Sequence, residues 1–309
     1  MMRALWLIAL LLAFPAASTG AASGGSEPFA FLSLDANARA VALGGAYTAL
    51  ASDANALLYD PAGLARVRRQ EATFMHNQHF QGITQEYIGY ASPRGWGLSL
   101  NYLTFGAIPK TTVANPDGTG LGSAGLSDLA LGAGYGRTLT DALAVGAGAK
   151  VISETIDDVT ARALALDLGA LYAVPAVPRL SLGAAVLNLG PAVKFQSASE
   201  DLPMSLRLGA AYGFAVLEQD STLAMDIVKG RSQDARLAIG AETVIAKAMP
   251  VRLGYKTDGG AGPGVSAGLG WRNQNFDFDY AYMPFGDLGV AHRLSATVRW
   301  GTARTVDKN

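Results

Sequence analysis

The sequence lacks cysteine, carries little net charge and has no long apolar run in its body. The absence of cysteine excludes a disulfide framework and predicts no lipid-anchored N-terminal cysteine. A formal net charge of −1 gives no electrostatic footprint for nucleic acid. No run of about 18 apolar residues follows the N-terminal stretch, so no membrane-spanning helix is predicted. Half of the residues are hydrophobic and only 16% are charged, which argues against disorder.

Histidine is scarce too, with three residues in the chain. His76 and His79 are three positions apart on one predicted strand, so they point to opposite faces and cannot bind one ion. His292 begins the last predicted strand and is expected at a membrane interface. Barrel hydrolases use Ser/His or Asp/His sets, and no such set is visible. We therefore predict no catalysis, no metal site and no cofactor.

The first 22 residues have the pattern of a secretory signal peptide. Arg3 supplies the positive start, residues 4–14 form an apolar stretch of the usual length, and Pro15 and small residues lead to cleavage sites near Ala21 or Ala22. The alternative is an N-terminal anchor helix, but the apolar stretch is too short to span a membrane. An exported membrane protein without a spanning helix must be a β-barrel.

Fourteen short segments alternate apolar residues with small or charged ones, which is the side-chain period of a β-strand. In 221–228, for example, Leu223, Met225 and Ile227 oppose Thr222 and Asp226. Soluble sheets alternate as well, so the strand number and the connections decide between water and lipid. The segments are 71–79, 85–92, 95–106, 125–137, 142–154, 162–173, 179–189, 202–213, 221–228, 235–245, 251–256, 265–272, 275–283 and 292–301.

The number and spacing of these segments favour a membrane barrel. Their number is even and most are near the length that crosses a bilayer at a tilt. Connections 93–94, 138–141, 174–178 and 273–274 are tight, whereas 107–124, 190–201 and 284–291 are long, and the two kinds fall at opposite ends. The predicted fold is an all-β membrane protein, with a 14-stranded antiparallel transmembrane β-barrel at 71–301 and a polar tail at 302–309.

Sorting the strands by phase gives an apolar outer wall and a charged interior. The outward set is Trp96, Leu98, Leu100, Tyr102, Leu129, Leu131, Tyr135, Leu164, Leu166, Leu168, Tyr172, Leu253, Tyr255, Leu269 and Trp271. The charges expected to form a network in the lumen are Asp128, Lys150, Asp167, Arg207, Asp226, Arg236, Glu242, Arg252, Asp277, Asp279 and Arg299. By the same alternation, four more charged side chains are expected to point inward: Glu154, Lys256, Arg272 and Arg293.

These inward charges are balanced in sign, whereas a selective pore would show one sign. Balanced charges fit internal ion pairs and hydrogen bonds to a plug. The alternative is a charged constriction for a polar solute.

Residues 23–70 are expected to form that plug, a helical or irregular segment called the hatch below. Residues 36–43 are helix-competent, Ser52 or Asp53 can cap a short helix at 54–59, and Pro61 ends it. Gly and Ala are too frequent here for a strand, and the segment is too apolar for a free tail. The alternative is a strap beneath the barrel. The turn Asp60, Pro61, Ala62 and Gly63 is the best candidate for a functional site in the hatch.

Residues 38–64, ARAVALGGAYTALASDANALLYDPAGL, resemble the N-terminal signature of the PorV/PorQ family, and 284–295 resemble its last loop and strand. This family is part of the FadL-like group of fourteen-stranded outer-membrane barrels. Asp60 stands where the family generally has Asn, so a carboxylate replaces an amide in the hatch turn.

The resemblance implies two functions for a barrel in the outer membrane of a Gram-negative-type bacterium, surrounded by its lipid. PorV-like members serve type IX secretion, binding exported cargo proteins and secretion-machinery components, and this non-enzymatic role is the first expectation. The alternative is a FadL-like channel that takes up long-chain fatty acids or other hydrophobic solutes past the hatch. Neither function involves nucleic acid.

Overall fold

The chain forms a closed antiparallel barrel of fourteen strands around an N-terminal plug, as seen in a computed structural model that describes residues 28–195, 198–257 and 262–303. The fold class predicted from the sequence is confirmed. The predicted signal peptide lies outside the described residues, as do residues 304–309 of the tail.

The barrel strands follow one another around the wall. Strand β7 pairs with β10, and β1 pairs with β16 to close the barrel. The barrel strands are β1 (Gln70–Gln78), β2 (Thr84–Ala91), β3 (Trp96–Pro109), β4 (Ser123–Thr138), β5 (Leu143–Ile156), β6 (Val159–Ala173), β7 (Leu180–Leu189), β10 (Ser205–Val216), β11 (Gln219–Gly230), β12 (Arg236–Ile245), β13 (Met249–Lys256), β14 (Val265–Arg272), β15 (Phe276–Pro284) and β16 (Val290–Trp300).

Two predicted loops are partly strand. The predicted loop 107–124 is shorter because Ala107, Ile108 and Pro109 pair with the start of β4 beyond an irregularity in the register. The predicted loop 190–201 contains a separate hairpin, β8 (Val193–Phe195) and β9 (Ala198–Glu200). Both additions are too short to show the apolar alternation that marks a barrel strand, so the sequence pattern did not reveal them.

The outer face of the barrel is apolar, as the strand phase predicted. Leu253 is 66% exposed and Trp271 is 48% exposed. Of the outward set, only Leu100 and Leu129 are half-buried. At the end with the short turns, Tyr90 lies 5.0 Å from Trp96 and 6.1 Å from Trp300 between ring centroids. A broad apolar band edged by aromatic rings is typical of a surface that contacts lipid. We call this end the turn end and the opposite end the loop end.

The hatch is built from very short helices with local caps. Helix α1 (Ala38–Ala42) begins where the Asn37 side chain accepts a hydrogen bond from the Ala40 amide at 2.9 Å. Helix α2 (Ala56–Tyr59) starts later than predicted, because Asp53 accepts from the Asn55 amide and so closes a turn ahead of the helix. The 3₁₀ helices are η1 (Ala30–Ser33), η2 (Thr48–Leu50), η3 (Pro61–Arg66), η4 (Phe80–Gly82) and η5 (Gly286–Leu288); η4 and η5 lie in loops outside the hatch. None of the helices in the described part of the chain has the length and apolar character needed to cross a membrane.

The hatch lies inside the barrel and touches all fourteen wall strands. It passes from β16 and β15 at α1, through β12 and β13 at Leu43, to β10 and β7 at η2. From there α2 and η3 pack against β3 to β6, and Ala54 meets β1 and β2. The segment therefore winds once around the interior, and the alternative of a strap beneath the barrel is wrong.

Glycines on the inner wall make room for this winding. Several sit directly opposite one another on paired strands. These pairs are Gly97 with Gly134, Gly136 with Gly146, Gly146 with Gly169, Gly183 with Gly209, and Gly240 with Gly254. A β-carbon at Gly240 would lie 2.6 Å from the Leu43 carbonyl oxygen, and one at Gly183 would lie 3.0 Å from the Ala49 α-carbon. We call this set of inward-facing glycines the glycine belt.

The glycine belt predicts that a single methyl group will loosen the hatch. A β-carbon at Gly146 would overlap the Pro61 carbonyl carbon and the Ala62 amide, so Gly146→Ala must push η3 away from β5. Hydrogen exchange should rise at least tenfold in hatch peptides covering 56–66, while the heat-modifiable mobility of the barrel on gels is unchanged.

Gly125→Ala in β4 is the matched control, since a β-carbon there meets no atom within 4 Å. Equal hatch exchange in the two variants would show that the belt does not hold the hatch in place.

Candidate functional site

The hatch separates two cavities in the barrel. The turn-end vestibule has a volume of about 1730 Å³, and its floor is hatch residues such as Asn37, Asp53 and Asn55. The loop-side cavity lies across the hatch, between Leu32, Leu34 and Leu58 on the hatch and Leu187 and Val228 on the wall. Any route along the barrel axis must therefore pass the hatch.

Asp226 of β11 fixes the middle of the hatch. Its Oδ2 atom accepts hydrogen bonds from the amides of Tyr47 at 3.1 Å and Thr48 at 3.0 Å, and from the Thr48 hydroxyl at 2.6 Å. Arg207 of β10 lies 3.3 Å from the same oxygen and donates to the Gly45 carbonyl at 2.9 Å. Both side chains are more than nine-tenths buried, so the wall supplies a buried charge pair and the hatch backbone completes its hydrogen bonds.

A chain of charges at the vestibule floor joins α1 to three wall strands. Arg39 donates two hydrogen bonds to Glu242, at 2.9 and 2.8 Å. Arg252 bridges Glu242 at 2.5 Å and Asp279 at 2.6 Å. The guanidinium carbon of Arg39 also lies 5.6 Å from the centroid of the Tyr47 ring. A buried carboxylate held between two arginines resists displacement of α1, because removing either partner leaves an uncompensated charge.

A second group of charges lies where the barrel closes. Arg299 of β16 pairs with Asp277 at 2.6 Å and with Glu71 at 2.5 Å. Glu71 also accepts a hydrogen bond from the Ala54 amide of the hatch at 2.8 Å. This group thus ties the first and last strands to each other and to the hatch.

Lys150, Asp167 and Asn188 form a third group on the loop side. The Lys150 ammonium lies 3.0 Å from Asp167 and 2.8 Å from the Asn188 amide oxygen. Asn188 has a positive φ of 60° and donates to the Pro203 carbonyl at 3.2 Å. This group holds the inward turn of the chain after β7.

Asp128 has a different environment from the other predicted network members. It faces Glu154 directly across the β4–β5 pair, and the described residues give it no hydrogen bond or ion pair. Glu154 accepts instead from the Phe29 amide at 2.5 Å. The predicted single network is therefore a set of separate clusters, because inward charges on strands far apart around the wall cannot reach one another.

The loop-side cavity carries an excess of positive charge. Burial raises the pKa of the Asp35 carboxyl, but the charges of Lys256, Arg207, Arg236 and Arg293 outweigh it and hold that pKa below its usual value. Arg293 is 2% exposed, and its Nε and Nη1 atoms have no hydrogen-bond partner among the described residues. Four cations thus surround a single hatch carboxylate, and two of them, Arg207 and Arg236, line the loop-side cavity.

The predicted hatch turn is buried against β5 and β6. Asp60 caps η3 by accepting from the Ala62 amide at 2.9 Å, and a β-carbon at Gly169 would collide with its carboxyl. Pro61 and Ala62 lie against Gly146, and a side chain at Gly63 would meet the Ala51 carbonyl oxygen at 2.5 Å. The Oδ2 atom of Asp60 has no partner among the described residues. The turn is thus a packing contact between hatch and wall, and it contains one buried carboxyl oxygen without a hydrogen-bond partner among the described residues.

Three charged residues of these clusters escaped the sequence reasoning. Glu71 shares its phase with the inward Thr73 and Met75, so alternation alone would have found it. Arg39 and Asp35 lie in the hatch, where no strand period marks the direction of a side chain. Among the histidines, His76 pairs with Glu86 at 2.6 Å on the outer side of β1, while His79 is buried. No group of three His, Cys, Asp or Glu within the described ranges is placed to hold a metal ion.

Comparison with known proteins shows the class of fold. The profile of the "Uncharacterised protein family (UPF0164)" matches residues 13–136, which include the hatch and the first strands. None of the curated proteins matches the sequence.

Among solved structures, the chain is similar to the CymD monoaromatic hydrocarbon channel, with 12% identity, a TM-score of 0.60, and coverage of 86% of this chain and 97% of that one. It is also similar to a Pseudomonas aeruginosa FadL homologue, with 12% identity, a TM-score of 0.57, and coverage of 86% of this chain and 98% of that one. The Ralstonia pickettii toluene transporter TbuX has 14% identity, a TM-score of 0.60 and the same two coverages. The fold is that of the FadL-like barrels. The narrower PorV/PorQ resemblance stays a prediction from the sequence.

Replacing Asp226 by Asn should release the middle of the hatch. The amide keeps an acceptor for Tyr47 and Thr48 but leaves Arg207 buried without its counter-charge, at a cost of roughly 3–5 kcal/mol. Hydrogen exchange of peptides covering 45–50 should accelerate at least a hundredfold.

Asp157→Asn is the control for this substitution, since it breaks the exposed Lys110–Asp157 pair at the loop end. An exposed pair contributes at most about 1 kcal/mol, so hatch exchange should not change. Unchanged exchange in Asp226→Asn as well would refute the anchoring role of Asp226.

Asp60 should make hatch packing dependent on pH. Burial raises the pKa of its carboxyl from 3.8 to about 7, although the bond from the Ala62 amide lowers it. Because the folded pKa is the higher one, the favourable contribution is complete below pH 4 and is lost as pH rises to 7, a change of roughly 4 kcal/mol. Hatch exchange, corrected for its intrinsic rate, should therefore be faster at pH 8 than at pH 5.

Asp60→Asn keeps the cap and cannot ionise, so it should abolish most of this pH dependence and slow hatch exchange at pH 8. The ratio of wild-type to Asp60→Asn rates at each pH removes the intrinsic effect of pH. A ratio that stays constant between pH 5 and 8 would mean that Asp60 remains in one protonation state.

Proposed function

We propose that the protein is an outer-membrane uptake channel for a hydrophobic small molecule, with the hatch as its gate. The observation that carries this proposal is the position of the hatch between a small loop-side cavity, lined in part by Leu32, Leu34 and Leu187, and a wide turn-end vestibule. The apolar outer wall supports a location in a membrane, and a β-barrel of this kind fits the outer membrane. The similar structures named as hydrocarbon and toluene channels support the same function.

The charges of the loop-side cavity favour one kind of hydrophobic solute. An apolar pocket with a few convergent polar groups binds a ligand that has an apolar body and a polar head. Here Arg207 and Arg236 line the cavity beside Asp35, while Lys256 and Arg293 act on the same carboxyl from outside the lining, and Arg293 has two unused donors. Guanidinium groups are well suited to carboxylates. The cavity has a volume of only about 20 Å³, so a solute can enter it only when the hatch moves, and the surrounding cations then favour a fatty acid over a neutral hydrocarbon.

The PorV/PorQ-type role in protein secretion rests on the resemblance of residues 38–64 and 284–295. In the structure residues 38–64 lie mostly buried inside the barrel and 284–295 form part of the last hairpin, so packing within the barrel accounts for them. Uptake of a hydrophobic solute is therefore the function that we put forward, and binding of exported cargo or of secretion components is an expectation from the sequence.

Binding measurements on the purified protein in detergent test the proposal. A fluorescent long-chain fatty acid should bind, and its free carboxylate form should bind at least tenfold more tightly than its methyl ester, a difference of about 1.4 kcal/mol. Arg293→Gln should remove this preference for the free acid without weakening the binding of the methyl ester. Arg231→Gln, which breaks an exposed ion pair with Asp201 at 2.8 Å, is the control and should bind like the wild type.

Each alternative outcome has a clear meaning. Equal binding of acid and ester, with competition by toluene, would point to a neutral hydrocarbon. No binding of acid, ester or toluene would refute the uptake function.

A further inference from the structure

The turn-end vestibule has properties that passage of a small solute does not require. Its volume of about 1730 Å³ exceeds the roughly 300–1,000 Å³ typical of pockets for small molecules. Most of the residues that line it are charged or polar. A space of this size and polarity is better suited to a segment of polypeptide.

The charges of the vestibule are arranged in two tiers. On the floor, Glu71, Asp277 and Asp279 are all paired with arginines, as described above. At the mouth, five arginines stand against a single acid, Asp141: they are Arg66, Arg68, Arg69, Arg94 and Arg137. The floor also holds Asp53, which accepts a hydrogen bond from the Tyr47 hydroxyl at 2.5 Å, so its lining has more carboxylates than arginines and the positive charge is confined to the mouth.

Most of the mouth arginines have no counter-charge. Arg69 donates to the carbonyls of Gln274, Arg299 and Gly301 and so braces the turns. The described residues give Arg68, Arg94 and Arg137 no ion pair, and all three are exposed. At the loop end, by contrast, Lys110 pairs with Asp157 and Arg231 with Asp201. Three exposed arginines without an ion pair are thus gathered at the mouth, whereas these two loop-end cations are neutralised.

We propose that the mouth of the vestibule is a docking site for an acidic segment of a soluble protein on the turn-end side of the membrane. Charge complementarity identifies the partner, because unpaired arginines around a cavity attract and orient a run of carboxylates. Anionic lipid is the lesser candidate: the arginines line the cavity, whereas lipid contacts the outer face that carries Trp96 and Trp300. The docking site does not depend on the solute, so a result that refutes the docking site would leave the uptake function untested, and the reverse also holds.

The absence of cysteine allows a direct test of occupancy. Ser52 lies exposed on the vestibule floor, so Ser52→Cys introduces a single thiol that a water-soluble maleimide can label. A deca-glutamate peptide is the probe, with a Ser-Gly decapeptide as its uncharged control. Deca-glutamate should slow labelling at least fivefold at 50 mM salt and have little effect at 500 mM, because salt screens exposed charges.

Matched variants locate the effect. In the Ser52→Cys background, Arg68→Gln/Arg94→Gln/Arg137→Gln should abolish the protection, whereas Lys110→Gln/Arg231→Gln at the loop end should retain it. Arg94→Gln alone should halve the protection at least, which guards against a folding defect in the triple variant.

Three results would overturn the proposal. The first is no protection by deca-glutamate at 50 mM salt. The second is equal protection in the triple variant and the loop-end control. The third is protection of Ser52→Cys by phosphatidylglycerol nanodiscs but not by the peptide, which would assign the mouth to lipid.

Discussion

The close approach of the hatch backbone to the inner wall is the constraint on which the rest of the structure depends. Paired glycines such as Gly136 with Gly146 and Gly240 with Gly254 remove side chains along the path of the hatch. Without them, the fourteen-stranded lumen would be partly filled by side chains of the wall, and residues 38–66 would have no place to wind. The wall glycines and the alanine-rich hatch are thus two halves of one packing solution, since small residues on both sides permit backbone contact.

The buried charges of the wall depend on that contact. Asp226 receives three hydrogen bonds from Tyr47 and Thr48, and Glu242 is held by Arg39 as well as by Arg252. A barrel emptied of its hatch would keep the pairs of Asp226 with Arg207 and of Glu242 with Arg252, but it would lose the hydrogen bonds that the hatch adds to both carboxylates. The polar contacts therefore fix the rotation of the hatch in the barrel, which the glycine contacts alone would leave undetermined.

Alternation in the sequence predicted the fold because strand period and lipid-facing polarity coincide in a barrel. It identified all fourteen strands and their faces, from Trp96 outward to Arg252 inward. It could not predict the pairing of Asp226 with Thr48 or of Arg39 with Glu242, because these contacts depend on how an irregular segment winds through a closed space. Within the family resemblance, the departure at Asp60 was visible, but its burial against Gly169 required the structure.

The polar anchors are distributed unevenly around the barrel, and this bears on how the hatch opens. From β10 to β16 and at β1, the hatch is held by Asp226, Glu242, Ser295 and Glu71. From β3 to β6, the described residues of α2 and η3 make no hydrogen bond or ion pair with the wall, and Leu57, Pro61 and Leu64 pack against wall glycines. Moving the first sector leaves buried carboxylates without their hatch partners, whereas moving α2 and η3 loses packing, gives Asp60 access to water and can leave the Phe29–Glu154 hydrogen bond on β5 in place. In the proposed uptake channel, the lower barrier to a solute would then lie beside β3 to β6, the sector on which ionisation of Asp60 also acts.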